Sequence, residues 1–111
     1  MIDEKVLEQE IQHKGLNAPR ITPDHIDGQI AAEYYGRASK LFEGCPGAEA
    51  LSTLTLCVLV LKNGYIVTGE SACASPENYD EAIGIRIARG NARNKIWALE
   101  GYVLRSKLSA S

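Results

Sequence analysis

The sequence contains no long hydrophobic segment. Its longest apolar stretch, residues 54–61, is interrupted by Thr55 and is far shorter than the roughly 20 residues that a helix needs to cross a bilayer. The first five residues carry no basic region and no apolar segment follows them, so no secretory signal is predicted. From these absences we expect a cytoplasmic protein that does not insert into membranes.

Cysteine and histidine are also scarce, with three and two residues. Cys45, Cys57 and Cys73 cannot all pair within the chain, and they lack the close Cys/His spacing of a structural zinc site, so we expect reduced, mostly buried thiols and no metal site. His13 and His25 are not part of any recognisable catalytic motif such as GxSxG or HExxH. We therefore expect neither enzymatic activity nor a cofactor.

The chain has no large excess of either charge, because its formal net charge is -2. Bulk electrostatic binding to duplex nucleic acid is not expected, although a local basic patch is compatible with this average. The fractions of hydrophobic and charged residues, 45% and 23%, are close to those of globular proteins and exclude a wholly disordered chain. A chain of 111 residues fits one domain. We divide it into a helical N-terminal extension and loop, residues 1–50, and a core, residues 51–108.

The clearest local signal in the core is a β-hairpin. Two runs of β-favouring residues, 53–62 and 65–71, are separated by Asn63-Gly64, a pair that accepts positive φ at both positions. In the first run, both the odd-numbered and the even-numbered positions are largely apolar. Because a two-stranded ribbon is only marginally stable alone, both of its faces are expected to meet protein, including a second copy of the chain.

Helix signals surround the hairpin. A short helix is predicted over residues 3–14 and a second over residues 23–35, capped by Thr22, followed by a loop over residues 36–50. A long helix is predicted to start at Ser75-Pro76, with residues 106–111 fraying. Its small residues Gly84, Ala88 and Ala92, four apart, permit close approach of another element. The predicted fold is α+β: a hairpin or small sheet, two N-terminal helices and a long C-terminal helix, completed by oligomerisation.

A cationic ridge follows the long helix. At 100° per residue, Arg86, Arg89 and Arg93 fall along one side, with Asn91 close by in sequence. Guanidinium groups suit bidentate contacts with phosphate, and asparagine suits ribose or base edges. The alternative is that these cations are solvated or paired with acids, for which Asp80, Glu81 and Glu100 are near in sequence. The aromatic residues of this region are Tyr79, Trp97 and Tyr102, which either stack on a base or pack in the core.

Short motifs in the second half of the chain resemble a widespread family of small, mostly uncharacterised phage proteins. They comprise residues 63–73 and 75–80, and the positions Ile83, Gly84, Ala88, Asn91, Ala92, Lys95, Ile96, Trp97, Leu99, Gly101, Tyr102 and Leu104. Residues 18–35 also look like an N-terminal extension found in many members. The family includes the Thoeris anti-defence sponges, which bind cyclic ADP-ribose isomers made by bacterial TIR enzymes and hold them without cleavage.

The resemblance implies a protomer that forms dimers, and in some members hexamers, with a ligand pocket made partly between protomers. Tyr79 stands in the family's Asn-aromatic-Asp motif and would stack on a base. Arg89, Asn91 and Arg93 lie where phosphate and ribose contacts are expected, and Arg105 would be a second phosphate clamp. Together with Arg86 from the ridge, these are the six predicted ligand-binding residues.

These expectations lead to a functional prediction. The protein would be a phage accessory anti-defence factor that sequesters a cyclic nucleotide immune signal in the cytoplasm of the infected or lysogenic bacterial host. The ligand would be a cyclic ADP-ribose isomer, with cyclic oligonucleotides as further ligands. The first alternative is a phage accessory protein that binds a host protein and no small molecule. The second is an enzyme that processes the nucleotide.

Overall fold

The computed structural model describes residues 3–111. The helices are α1 (Glu4–His13), α2 (Pro23–Gly28), α3 (Ala38–Leu41) and α4 (Glu81–Ala110), and the strands are β1 (Ile30–Arg37), β2 (Leu54–Leu61) and β3 (Ile66–Ala72). Two short 3-10 helices, Ala48–Leu51 and Pro76–Asn78, precede β2 and α4. The predicted α+β class, with helices near the N-terminus and a long C-terminal helix, is confirmed.

The predicted hairpin is present as β2 and β3, the centre and one edge of an antiparallel sheet with strand order β1-β2-β3. At its turn Gly64 adopts a φ of 89°, and the Asn63 side chain accepts a hydrogen bond from the Tyr65 N–H at 2.9 Å. Glycine adopts positive φ without steric cost, and a short amide side chain bonds its own turn. The local sequence therefore sets the register of β2 and β3.

The predicted second helix is wrong beyond Gly28. Thr22 caps it as expected, accepting a hydrogen bond from the His25 N–H at 3.1 Å, but α2 ends at Gly28 and residues 30–37 form β1. β1 pairs with β2 from Ile30 opposite Leu61 to Arg37 opposite Thr55. The free edge of the apolar strand β2 offers backbone hydrogen bonds and burial that outweigh the helical spacing of residues 30–34.

The segment predicted as loop, residues 36–50, is more ordered than expected. It contains the end of β1, the single turn of α3 and most of the first 3-10 helix. Ala38 in α3 is fully buried, and Ala48 in the 3-10 helix is also buried. Gly44 and Gly47, both with positive φ, separate these two turns, in agreement with the expectation that no long element forms there.

The long helix α4 starts later and ends later than predicted. Ser75 makes no capping hydrogen bond and begins only a 3-10 turn. Asp80 is the true N-cap, because its carboxylate accepts from the Ile83 N–H at 2.9 Å. The helix then continues for 30 residues, through Gly90 and Gly101, to Ala110. At 1.5 Å per residue it is about 45 Å long.

One side of α4 lies directly on the sheet. Its buried residues Gly84, Ala88, Ala92 and Ile96 recur at four-residue spacing, as the sequence predicts for close approach. A Cβ added to Gly69 of β3 would lie 2.1 Å from the Ala88 carbonyl oxygen. Backbone therefore meets backbone at this crossing. The core is completed by residues of β2, β3 and α2: Cys57, Leu59, Leu61, Val67 and Ile26.

The other side of the sheet carries no long helix within residues 3–111; only the single turn of α3 reaches it, where the Leu41 side chain lies over Gly36 at the end of β1. We call it the open sheet face; its residues on β2 are Leu54, Leu56, Val58 and Val60, which alternate with the buried residues facing α4. Their partners across the strands include Tyr34 on β1 and Ile66 on β3, both more than half exposed. The centre of this face is continuous and apolar.

Candidate functional site

Four of the six predicted ligand-binding residues line one open groove along α4, with a volume of about 980 Å³. They are Arg86, Arg89, Asn91 and Arg93. The half-buried Trp97 lines the same groove, and Glu4 and Leu7 contribute to it from α1. The structure therefore brings the whole predicted cationic ridge together beside an indole ring and the first turns of the N-terminal helix.

Arg89 is held at the groove by an acid from the sheet. Its Nε donates to Glu33 Oε1 at 2.7 Å, and its Nη2 donates to Glu33 Oε2 at 3.2 Å. Hydrogen bonding to Arg89 lowers the pKa of Glu33, although partial burial of this carboxyl group works in the opposite direction. No acceptor for Arg89 Nη1 is recorded among residues 3–111, so this nitrogen retains two N–H groups for a ligand.

Arg93 has more protein partners than Arg89. Its Nε donates to Asp27 Oδ1 at 2.8 Å, its Nη1 to Glu4 Oε1 at 2.6 Å, and its Nη2 to the Pro23 carbonyl oxygen at 3.3 Å. Its side chain is only 12% exposed. Burial works against the charged form, but the hydrogen bonds to Glu4 and Asp27 outweigh it and raise the pKa of Arg93. Arg93 thus ties α1 and α2 to α4.

Arg86 and Asn91 differ from these two arginines. Arg86 is exposed, and its guanidinium group makes no ion pair or hydrogen bond in the described part of the chain. The Asn91 side-chain nitrogen donates to the Glu70 carbonyl oxygen at 2.8 Å, which connects α4 to β3. Of the groove residues, Arg86 is therefore the one with all five N–H donors available to a phosphate.

Tyr79 lies in a different place. It lines a small cavity of about 130 Å³ near the start of α4, with Thr55 and Ile83 among its neighbours. The guanidinium carbon of Arg37 lies 3.9 Å from the Tyr79 ring centroid, and the Tyr79 hydroxyl accepts from Thr55 Oγ1 at 3.4 Å. One face of the ring is thus covered by a cation–π contact. The structure does not place Tyr79 in the groove.

Arg105 is also outside the groove. It is exposed on α4, twelve residues beyond Arg93 and therefore about 18 Å farther along the helix axis. Neither the arginine groove nor the Tyr79 cavity includes it. Within one protomer, the predicted residues divide into a group of four and two isolated positions.

Sequence reasoning missed the acids that hold the arginines. The expected partners were Asp80, Glu81 and Glu100, but Asp80 caps α4 and the Glu100 carboxylate accepts a hydrogen bond from His25 Nε2 at 3.0 Å. The observed partners, Glu33, Asp27 and Glu4, precede the arginines by 56 to 89 residues. No local spacing indicates such pairs. Arg37 was missed for the same reason, since 42 positions separate it from Tyr79.

A second groove, of about 620 Å³, has a different character. It lies between β3 and the C-terminal half of α4, and Tyr65, Ile66, Leu99, Tyr102 and Val103 give it a largely apolar lining. Lys95 and Glu100 are its charged residues. With one cation and one acid, it offers less for an anionic ligand than the arginine groove.

Two kinds of feature are absent from residues 3–111. No helix there is long and apolar enough to cross a membrane. No group of three or more histidine, cysteine, aspartate or glutamate side chains is arranged there to hold a metal ion.

Comparison with known proteins adds a family. Neither a curated protein nor a solved structure matches the chain. A family model described as phage protein (N4 Gp49/phage Sf6 gene 66) matches residues 21–108, which include β1, the hairpin and nearly all of α4. Because this match covers well over half of the chain, the protein belongs to the N4 Gp49/phage Sf6 gene 66 family of phage proteins.

Proposed function

We propose that this phage protein is an anti-defence factor that binds and sequesters a cyclic nucleotide immune signal without cleaving it. The observation that carries the proposal is the convergence of Arg86, Arg89, Asn91 and Arg93 with Trp97 on one open groove. The ligand is a cyclic ADP-ribose isomer, and cyclic oligonucleotides are further candidates. The site of action is the cytoplasm of the infected or lysogenic bacterial host.

The chemistry of the groove suits a phosphorylated ligand. Arg86 offers a complete guanidinium fork, and Arg89 offers its free Nη1, so two cations are available for charge-assisted hydrogen bonds to phosphate oxygens. Trp97 provides an aromatic surface on which a base or ribose packs, and Asn94 provides an amide for hydrogen bonding. In this proposal Trp97 takes the base-packing role that the family resemblance implies for Tyr79.

Sequestration is the whole of this function. The ligand is held by charge and packing, and no covalent step is part of the proposal. A bound molecule should therefore be released intact when the protein is denatured.

We also propose that the protomer assembles with a second copy through the open sheet face. Leu54, Leu56, Val58 and Val60 form a continuous apolar centre that a single protomer leaves partly exposed. Packing this face on an identical face removes apolar area from water and gives a two-fold dimer. Val58→Glu should convert the dimer to monomer in analytical ultracentrifugation, whereas Glu49→Gln, an exposed change in the first 3-10 helix and outside the sheet, should not. A wild-type monomer at micromolar concentration would contradict the assembly.

The binding test is a calorimetric titration of the purified protein with cyclic ADP-ribose isomers and with cyclic di- and trinucleotides. Heating the complex and identifying the released molecule by mass spectrometry then separates sequestration from turnover. The expected result is a tight complex from which the ligand returns unchanged. An opened product would show an enzyme, and absence of binding across the panel would favour the alternative of a host protein partner.

A matched pair of variants tests whether the ligand binds in the arginine groove. Arg86→Ala removes an arginine that makes no ion pair in the structure, so it should weaken binding by about tenfold, as expected for a lost charged hydrogen bond, without changing the melting temperature. Lys107→Ala removes one positive charge from the same helix outside the groove and should leave affinity nearly unchanged. Equal affinities of the two variants for the ligand would remove Arg86 from the site.

A further inference from the structure

The first turn of α1 places a carboxylate on the arginine groove. The Glu4 side chain accepts hydrogen bonds from Arg93 Nη1 through both of its oxygens, one of them at 2.6 Å. A carboxylate that is held by one guanidinium nitrogen can stand in for two oxygens of a phosphate group. The carboxylate is planar and the phosphate tetrahedral, but each presents two anionic oxygens that accept charge-assisted hydrogen bonds. Glu4 therefore marks a position in which an anion is stable.

We infer that this position is the phosphate subsite of the groove, that its ligand is a pyrophosphate-containing molecule, and that Glu4 on α1 occupies it as a displaceable cover. The inference rests on the proposed function and specifies how the same groove is filled. It makes α1 a competitor of the ligand, and it makes release of α1 a part of binding.

The way in which Arg93 is held supports the exchange. Its Nε and Nη2 bind Asp27 and the Pro23 carbonyl oxygen of α2, which is fixed to the core by the fully buried Ile26. Only Nη1 binds α1. Loss of Glu4 thus leaves the guanidinium plane oriented by α2, with Nη1 free for a phosphate oxygen. A pre-oriented donor loses less conformational freedom on binding than a mobile one.

The attachment of α1 is weak enough to be exchanged. None of its ten residues is fully buried; of its three apolar residues, Val6 and Leu7 are 59% and 42% exposed and Ile11 is partly buried. Its recorded contacts to the rest of the protein include two ion pairs, Glu4 with Arg93 and Glu8 with Arg20. Helices that bury no side chain lack the packing that gives most helical stability in proteins, so local opening of α1 is inexpensive.

The charges around the groove favour replacement of Glu4 by a phosphate ligand. With α1 in place, Arg86, Arg89 and Arg93 face three carboxylates, those of Glu33, Asp27 and Glu4. When α1 leaves, the groove keeps three cations and loses one acid. A pyrophosphate carries more negative charge than one carboxylate and reaches more than one arginine, so it binds the uncovered groove better than Glu4 does.

The test compares two variants of α1 with the same change in charge. Glu4→Gln removes the carboxylate from Arg93, whereas Glu10→Gln removes an exposed carboxylate that pairs with Lys14 on the same helix, outside the groove. Affinity for inorganic pyrophosphate and for cyclic ADP-ribose is measured by calorimetry at fixed ionic strength. Amide hydrogen exchange of residues 4–13 is measured with and without each ligand.

The expected result has two parts. Glu4→Gln should bind pyrophosphate at least about fivefold more tightly than wild type, the lower end of ordinary coupling between sites, and Glu10→Gln should not. Pyrophosphate should accelerate exchange of the α1 amides in wild type and have little effect on them in Glu4→Gln, where α1 is already loosened. Acceleration confined to α1, with protection of α4 retained, identifies release of the cover.

Two negative results have different meanings. In the first, wild type binds cyclic ADP-ribose, but Glu4→Gln and Glu10→Gln have the same affinity for cyclic ADP-ribose and the same affinity for pyrophosphate. Glu4 then does not compete with the ligand, so the inference that α1 is a displaceable cover is wrong, while the proposed function stands. If neither wild type nor Glu4→Gln binds pyrophosphate or any member of the cyclic nucleotide panel, the subsite and the proposed function are both wrong.

Discussion

The two sides of α4 are held by different forces. On the sheet side, Gly69 of β3 meets the backbone of Ala88 and Ala92, and the surrounding side chains are apolar and buried. On the α1 side, the recorded attachment to Arg93 is an ion pair at a partly exposed groove. Close packing resists any change in shape, whereas an ion pair that water reaches on one side, here through the 34% exposed Glu4, can exchange its partner for another anion. The helix therefore combines a fixed face with a replaceable one.

The largest effect should come from adding a side chain to Gly69, where β3 and α4 are in backbone contact. In Gly69→Val the new Cβ would lie 2.1 Å from the Ala88 carbonyl oxygen and 2.4 Å from the Ala92 nitrogen, so α4 must move off the sheet. We expect a loss of about 4 kcal/mol or more in the free energy of unfolding, measured by urea denaturation. Gly90→Ala is the control, since its Cβ meets nothing within 4 Å, and it should stabilise by up to about 1 kcal/mol. Similar stabilities for the two variants would contradict the backbone contact.

The second prediction compares the two N-terminal helices. Ile26 of α2 is fully buried, whereas Leu7 of α1 is 42% exposed. Ile26→Ala should lower the free energy of unfolding by about 2 to 5 kcal/mol, the range for a buried aliphatic side chain, while Leu7→Ala should lower it by less than about 1 kcal/mol. Thermal unfolding followed by circular dichroism gives both values. A large effect of Leu7→Ala would mean that α1 belongs to the core.

The third prediction concerns pH. The pKa of Glu33 is lowered by its hydrogen bonds with Arg89, so this pair stabilises the folded state at pH values above the ordinary carboxyl pKa of 4.5. That contribution is lost as the pH falls through the lowered pKa of Glu33 in the folded protein. The stability difference between wild type and Glu33→Gln should therefore be largest at neutral pH and shrink in acid.

Urea denaturation from about pH 7 to about pH 3, which brackets ordinary carboxyl titration, measures this difference. Glu49→Gln is the control, because Glu49 is exposed and no ion pair is recorded for it in the described chain. If the difference in unfolding free energy between wild type and Glu33→Gln were constant across the range, the ionised Glu33–Arg89 pair would contribute nothing to stability.

The smallest effect should appear at the replaceable face. At about 1 M salt the Debye length falls to about 3 Å, so ion pairs that are partly open to water, as both pairs of α1 are, weaken while apolar packing does not. Amide exchange in α1 should accelerate by about two- to fivefold, equivalent to one surface ion pair, with little change in the melting temperature. The same salt should leave exchange across the centre of α4 unchanged. Equal acceleration in both helices would erase the distinction between the two faces.

Much of the fold could be predicted because its signals are local. The Asn63-Gly64 turn, the Thr22 cap and the small residues facing the sheet each depend on neighbours within a few positions. β1 was missed because residues 30–34 fit a helical stripe, and only the free edge of β2, more than twenty residues later, makes them a strand. The start of α4 was misplaced because two successive cap signals, Ser75 and Asp80, compete within six residues.

In the candidate site, too, the local features could be predicted from the sequence and the long-range contacts could not. The ridge of Arg86, Arg89 and Arg93 follows from helix geometry alone, and the structure places all three in one groove. Their acidic partners come from α1, α2 and β1, at separations that no spacing rule covers. Tyr79 and Arg105 were joined to the ridge by family resemblance, and within one protomer the fold leaves them outside it.

The position of Trp97 makes ligand binding visible by fluorescence. It is the only tryptophan in the chain, and it lines the groove beside Leu7 of α1. Indole emission shifts in wavelength when the surroundings of the ring change from apolar to aqueous. Because Trp97 also packs against the core, its emission reports on the groove and on the core beside it. A spectral change on ligand addition, at constant melting temperature, therefore follows occupancy of the groove in the unlabelled wild-type protein without a dye.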